Sequence, residues 1–103
     1  MSYSKYKAKA TVVDGKWFAS KKEAKRYGEL LLLEKAGIIS NLKTQVRFPL
    51  NVNDEKVCTY IADFTYFENG QTVIEDTKGF KTPLYKIKKK LMWACYQFLI
   101  VET

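Results

Sequence analysis

The sequence predicts an α/β (α+β) domain: a mixed sheet flanked by helices, ordered as hairpin, helix, three strands, helix and strand. Three observations carry this expectation. Ser20-Lys21-Lys22-Glu23 and Thr82-Pro83 each open a run of helix formers. Between them lie stretches rich in β-branched and aromatic residues, divided at Asn53-Asp54 and Asn69-Gly70. The length of 103 residues suits one core, and no repeat, linker or low-complexity tract divides it, so residues 1–103 form a single domain.

Taken in order, residues 1–9 carry Lys5, Lys7 and Lys9 and read as a basic arm. Thr11-Val12-Val13, Asp14-Gly15 and Lys16-Trp17-Phe18 make a short hairpin on a type I′ turn. Ser20 caps a first helix running to Ala36, with an apolar stripe of Ala24, Tyr27, Leu30, Leu31, Leu33 and Ala36 and with Gly37 at C′. Strands follow over Gln45 to Val52, Lys56 to Phe67 and Gln71 to Lys78, until Gly79 ends the last. The second helix, from Pro83 to about Tyr96, places Leu84, Ile87, Leu91, Ala94 and Cys95 inward, and Phe98 to Glu102 is a final strand.

Composition excludes several chemistries. There is no histidine, which removes Ser-His-Asp and Cys-His catalysis and His-ligated metal. Cys58 and Cys95 stand apart in apolar surroundings and read as buried, reduced thiols. No apolar run is long enough to span a membrane, and the first residues lack a signal-peptide core. Lys and Arg number 18 against 11 Asp and Glu, and the net charge of +7 points to a polyanionic partner.

The Asn69-Gly70 turn permits a register calculation. With a two-residue loop Glu68 pairs with Gln71, and Asp63 falls opposite Asp76. Alternation puts Lys78, Ile61, Thr65, Phe67, Thr72 and Ile74 on the same face. A three-residue loop would instead bring Glu75 opposite Asp63. Facing carboxylates repel, so a divalent cation, a raised pKa or the Lys78 ammonium must offset them. An ordinary Asp63–Lys78 salt bridge is the structural alternative. Glu75 points to the other face, where pairing with a lysine is expected, and is a second-rank site candidate.

Asp63 followed by Asp76-Thr77-Lys78, in an αβββαβ order, resembles the D…(D/E)xK signature and core of the PD-(D/E)xK nuclease superfamily. The chain is more closely similar to a family of small phage-encoded proteins assigned to it. The likeness runs through Lys5-Tyr6-Lys7-Ala8, Ser20-Lys21-Lys22-Glu23-Ala24, Tyr60-Ile61-Ala62-Asp63-Phe64, Glu75-Asp76-Thr77-Lys78-Gly79 and Lys86-Ile87-Lys88-Lys89-Lys90-Leu91. The resemblance implies a restriction-endonuclease-like core. It also implies that Asp63 and Asp76 hold Mg²⁺ or Mn²⁺, with the Thr77 carbonyl as a further ligand. Lys78 would orient the attacking water or offset charge on the phosphate. Glu23 would lie near the metal, although as N3 of a capping box it has a competing role at the helix start. Gln45 matches a glutamine of relatives.

Lys81, Lys86, Lys89 and Lys90, with Lys88 beside them, and the arm lysines Lys5, Lys7 and Lys9 are assigned to phosphate-backbone contact. Trp17, Tyr85, Trp93 and Tyr96 read chiefly as core or half-buried aromatics, with base stacking the alternative. The expectation is a metal-dependent DNA endonuclease of phage recombination or replication, by analogy on branched DNA, acting as a homodimer in the host-cell cytoplasm. No membrane and no small-molecule cofactor are expected among its partners. The rivals are a non-catalytic nucleic-acid binder that keeps the fold and a protein that docks on an acidic host factor.

Overall fold

Two-residue turns fix the strand registers in this computed structural model, which describes residues 11–103. The assigned arm, with Lys5, Lys7 and Lys9, lies outside the described residues. Strands β1 (Thr11–Val13) and β2 (Lys16–Phe18) meet at Asp14 and Gly15, whose φ values of 52° and 78° suit a type I′ turn. Helix α1 (Lys21–Lys35) begins where Ser20 Oγ accepts the Glu23 N–H at 3.1 Å. It ends as the sequence predicts. Gly37 turns left-handed at φ 76°, the Ile38 N–H donates to Leu33 and the Gly37 N–H to Glu34, both at 3.0 Å.

The main sheet comprises β3 (Ser40–Val52), β4 (Glu55–Glu68), β5 (Gln71–Asp76) and β6 (Ile100–Glu102), in that spatial order. β3, β4 and β5 are antiparallel, and β6 runs parallel to β5 after the crossover through helix α2 (Pro83–Tyr96). Asn69 and Gly70, at φ 54° and 75°, make the two-residue loop, and the register pairs Glu68 with Gln71 through to Phe64 with Glu75. The three-residue alternative is thereby corrected. β3 begins five residues before the predicted start, at Ser40, because left-handed Asn41 introduces a register shift that hides the alternation. β5 stops at Asp76, two residues short of Lys78, and β6 starts at Ile100 rather than Phe98.

The core has two halves. On the α1 side Phe18, Ala24, Tyr27, Leu30, Ile39, Phe64 and Tyr66 pack together; on the α2 side Leu50, Tyr60, Ala62, Ile74, Tyr85, Met92 and Ile100 do so. Full burial of a side chain such as Phe64 or Leu50 contributes roughly 1.5–3 kcal/mol. Tyr60 and Ala62 therefore face α2, whereas Phe64 and Tyr66, of the same parity, face α1. The expected single face running through Ile61, Asp63 and Thr65 is thus corrected: the strand rolls over at Asp63. On β3 the switch falls at Gln45, held at φ 53°, with Leu42 on the α1 side and Phe48 on the α2 side.

The predicted inner stripe of α2 is also corrected. Leu84 and Ile87 are 57% and 56% exposed and Ala94 is exposed; the buried residues are Tyr85 and Met92, with Leu91 and Cys95 packed beside them. A tyrosine that can bond a carboxylate and an adaptable methionine fill the space that an aliphatic stripe was expected to fill. Ala36 lies outside the α1 core, being exposed at the helix end. Trp17, Trp93 and Tyr96 are exposed, and only Tyr85 of the four aromatics is buried. Cys58 and Cys95 are free thiols, half-buried rather than buried. No helix among the described residues is long and apolar enough to cross a membrane.

Candidate active site

The roll of β4 brings Asp63 beside the end of β5. Its Oδ2 accepts the Thr77 N–H at 2.8 Å, so the regular ladder gives way at this point to a side-chain contact. Asp76 is only 1% exposed. Its Oδ2 takes the Tyr60 hydroxyl at 2.6 Å and lies 3.3 Å from Lys78 Nζ. Its Oδ1 is buried with no hydrogen-bond partner among the described residues. An unsatisfied buried acceptor costs on the order of 1–3 kcal/mol, more when charged, so this oxygen retains an unused capacity to accept a donor or a cation.

Asp63 and Asp76 act on each other. Burial first, and then the Asp76 carboxyl beside it, push Asp63 up to about 7, against the pull of the Thr77 N–H. Glu23 joins the cluster from α1. Burial raises its pKa, the Asp76 charge raises it further, and Lys78 opposes both. Gln45 Nε2 donates to Glu23 Oε2 at 3.2 Å, while Ser20 holds the Glu23 backbone N–H. The helix-cap position and the cluster position are therefore compatible, because backbone and side chain of Glu23 serve different partners.

Lys78 is held from a second side by the ring of Tyr85, whose centroid is 4.5 Å from Nζ. The Tyr85 hydroxyl donates to Glu102 Oε2 at 2.6 Å. Lys81 and Lys89 lie 2.9 and 3.2 Å from the same carboxylate, and these three partners hold Glu102 down at about 2. Burial, followed by the carboxylates they bond, raises the pKa values of Tyr60 and Tyr85 and keeps both protonated. Two of the lysines assigned to phosphate, Lys81 and Lys89, are thus engaged with Glu102. Lys86 and Lys90 remain exposed on α2 without an ion pair among the described residues.

Glu75, expected to pair with a lysine, pairs instead with an arginine. Arg26 on α1 grips it with Nε at 2.7 Å and Nη2 at 2.9 Å, and the Tyr66 hydroxyl donates to it as well. This fully buried, fully bonded carboxylate fixes α1 against β5 next to Asp76. Sequence reading missed Arg26, Tyr60, Tyr85 and Glu102. The one available signal was Tyr60, a tyrosine on a predicted strand three residues before an aspartate.

Among the described residues no group of three or more Cys, Asp or Glu side chains stands ready to hold an ion. The converging pair is Asp63 and Asp76, with Glu23 behind it. A magnesium ion asks only one or two carboxylates of a protein and fills its other positions with water and phosphate oxygens. The unpartnered Asp76 Oδ1, with the Asp63 carboxyl beside it, fits that requirement.

The raised pKa of Asp63 has a stability consequence. Below about pH 4 it is protonated folded and unfolded alike; between about 4 and 7 the folded state binds more protons, so stability falls as pH rises. Asp63→Asn, which can still accept the Thr77 N–H, removes this penalty. The metal-free variant is expected to exceed wild type by on the order of 1 kcal/mol in urea unfolding near pH 8, less than the full shift because solvent reaches Asp63, and to converge with it near pH 4. The Asp63–Lys78 bridge of the structural alternative is replaced by a Lys78–Asp76 pair, and a variant less stable than wild type at pH 8 would contradict the raised pKa.

No curated protein and no solved structure matches the chain. A family model described as "Protein of unknown function (DUF1064)" matches residues 3–102, and the chain belongs to that family.

Proposed function

We propose that this protein is a divalent-metal-dependent DNA endonuclease of the PD-(D/E)xK type. The observation that carries the reading is Asp76. It is a buried carboxylate with one oxygen unpartnered, beside a second carboxylate and a lysine, in a domain of net charge +7. A buried ion pair is favourable when hydrogen bonds satisfy its remaining lone pairs, which Asp76 Oδ1 lacks among the described residues, and a plain polyanion binder gains nothing from carboxylates at the centre of a basic surface.

Asp63 and Asp76 would hold Mg²⁺ or Mn²⁺, with the Thr77 carbonyl adjoining and Glu23 positioned to accept a metal-bound water. When bound, such an ion lowers the pKa of water and neutralises the phosphate. Lys78 would place its ammonium on the attacking water or on a non-bridging phosphate oxygen. Tyr85 and Asp76 hold that ammonium from two sides, which reduces the rotamer freedom lost on reaction. Tyr60 fixes the Asp76 carboxylate by its hydroxyl. The water would lose a proton to solvent as it adds to phosphorus, and the bond from phosphorus to the leaving sugar oxygen would break, that oxygen taking up a proton from solvent.

A chain this small cuts two strands most simply as a homodimer with one site per strand. Phage recombination or replication, branched DNA as substrate and the host cytoplasm as location belong to the same proposal and rest on the family resemblance. The test is incubation of labelled duplex, single-stranded and four-way-junction DNA with protein in Mg²⁺, Mn²⁺ or EDTA. Cutting in either metal and none in EDTA is the expected result. Binding without cutting in either metal on all three substrates would leave a nucleic-acid-binding module instead.

A further inference from the structure

We infer that two pockets flanking the carboxylates grip the DNA backbone on both sides of the scissile phosphate, so that the site takes an internal stretch of DNA and not an end. The inference rests on the nuclease reading above. It starts from Thr77 and Lys78, consecutive residues that line different pockets. One pocket, about 150 Å³, opens on the α1 side and is lined by Lys22, Lys25, Arg26, Glu29, Thr77 and Thr103. The other, about 260 Å³, opens on the α2 side, where Tyr60, Lys78, Tyr85 and Lys88 are among its walls.

Asp76 lies at the boundary between them, since Tyr60 and Lys78 of the second pocket both contact its Oδ2 and Thr77 of the first follows it directly. Within the α1 pocket the charges are already sorted. Arg26 is shared between Glu75 and Glu29, the latter at 3.1 Å, so the pocket's one acidic side chain is held by Arg26 and not by Lys22 or Lys25. Lys22 and Lys25 are exposed, about one turn apart on α1 with Glu23 between them in sequence, and have no ion pair among the described residues. In the α2 pocket Lys88 is likewise without an ion pair among the described residues, in contrast to Lys81 and Lys89 on the same helix.

Uncompensated lysines therefore stand on both banks of the carboxylate pair. A phosphodiester chain seated with one phosphate at Asp63 and Asp76 meets Lys22 and Lys25 in one direction and Lys88 in the other. Cations on one bank alone would suit an enzyme working from a terminus. Exposed Leu84 and Ile61 at the second pocket provide apolar surface for sugar rings.

The experiment is fluorescence anisotropy of a labelled DNA duplex in EDTA across a range of monovalent salt, so that binding is read without cutting. Each phosphate contact contributes about −0.9 to the slope of log K against log salt. Lys22→Ala/Lys25→Ala is expected to make the slope shallower by about 1.8, and Lys88→Ala by about 0.9. Lys22→Arg/Lys25→Arg should restore the wild-type slope, and Lys35→Ala, at the far end of α1, should leave it unchanged. A wild-type slope in either pocket's alanine variant overturns the two-sided grip while leaving the nuclease reading in place. Wild-type protein that fails to bind DNA at any salt overturns the two-sided grip, and the cleavage assay in Mg²⁺ and Mn²⁺ decides the nuclease reading separately.

Discussion

Asp76→Asn is expected to lower metal-dependent DNA cleavage by three orders of magnitude or more while the domain stays folded. Asparagine keeps the shape of the side chain and an oxygen for the Tyr60 hydroxyl, so the packing of Tyr60 against Tyr85 need not change. What is lost is the negative charge on the buried oxygen pair and with it the main claim on a divalent ion. Single-turnover cleavage with variant and wild type at equal concentration checks the rate, and far-UV circular dichroism checks the fold. Cleavage within tenfold of wild type would mean that Asp76 is a structural carboxylate. Lys78→Ala should show a similar loss of cleavage with metal binding retained, because its ammonium acts on water and phosphate rather than on the ion.

Arg26→Ala is the second large effect. Glu75 has no exposed surface, and Arg26 supplies its charge partner through two short hydrogen bonds. Removing the arginine leaves a carboxylate buried with the Tyr66 hydroxyl as its remaining hydrogen-bond donor, a change that typically costs about 3–5 kcal/mol. Urea unfolding measures it. The double variant Arg26→Met/Glu75→Leu should recover most of the loss, because apolar residues of similar volume replace a buried ion pair at little cost. A single-variant loss below about 1 kcal/mol would show that α1 does not depend on this clamp. Activity should follow stability here, since Glu75 sets the backbone that presents Asp76.

How much of this was legible in the sequence depended on whether a local signal existed. Asp14-Gly15 and Asn69-Gly70 tolerate the positive φ of a type I′ turn, so the hairpin registers could be counted from residue type alone. Ser20, Gly37, Thr82 and Pro83 likewise named the helix ends through the hydrogen bonds that they make or cannot make. The counting carried Asp63 to Asp76 and from there to Lys78.

The roll of β3 and β4 was not legible. A left-handed glutamine at position 45 breaks the rule that such backbone is marked by glycine or asparagine, and face assignments made by strict alternation therefore failed past Asp63. The inner face of α2 misled for another reason. Leu84, Ile87 and Ala94 have helical spacing, but Tyr85 is drawn inward by Glu102 across the fold. The Arg26–Glu75 clamp joins residues 49 apart in sequence, and no local pattern announces such a pairing. Departures of this kind gather around the carboxylates, as expected where a site overrides local preference.

The account stands on Asp63 and Asp76 sharing a divalent cation, and Mn²⁺ uptake tests that directly. Electron paramagnetic resonance reports free Mn²⁺ as protein is titrated in, near pH 8, with wild type beside Asp63→Asn and Asp76→Asn. Saturable loss of the free signal with wild type, and its persistence with both variants, is the predicted result. Equal uptake by all three proteins, or none by wild type at millimolar metal, would contradict the account.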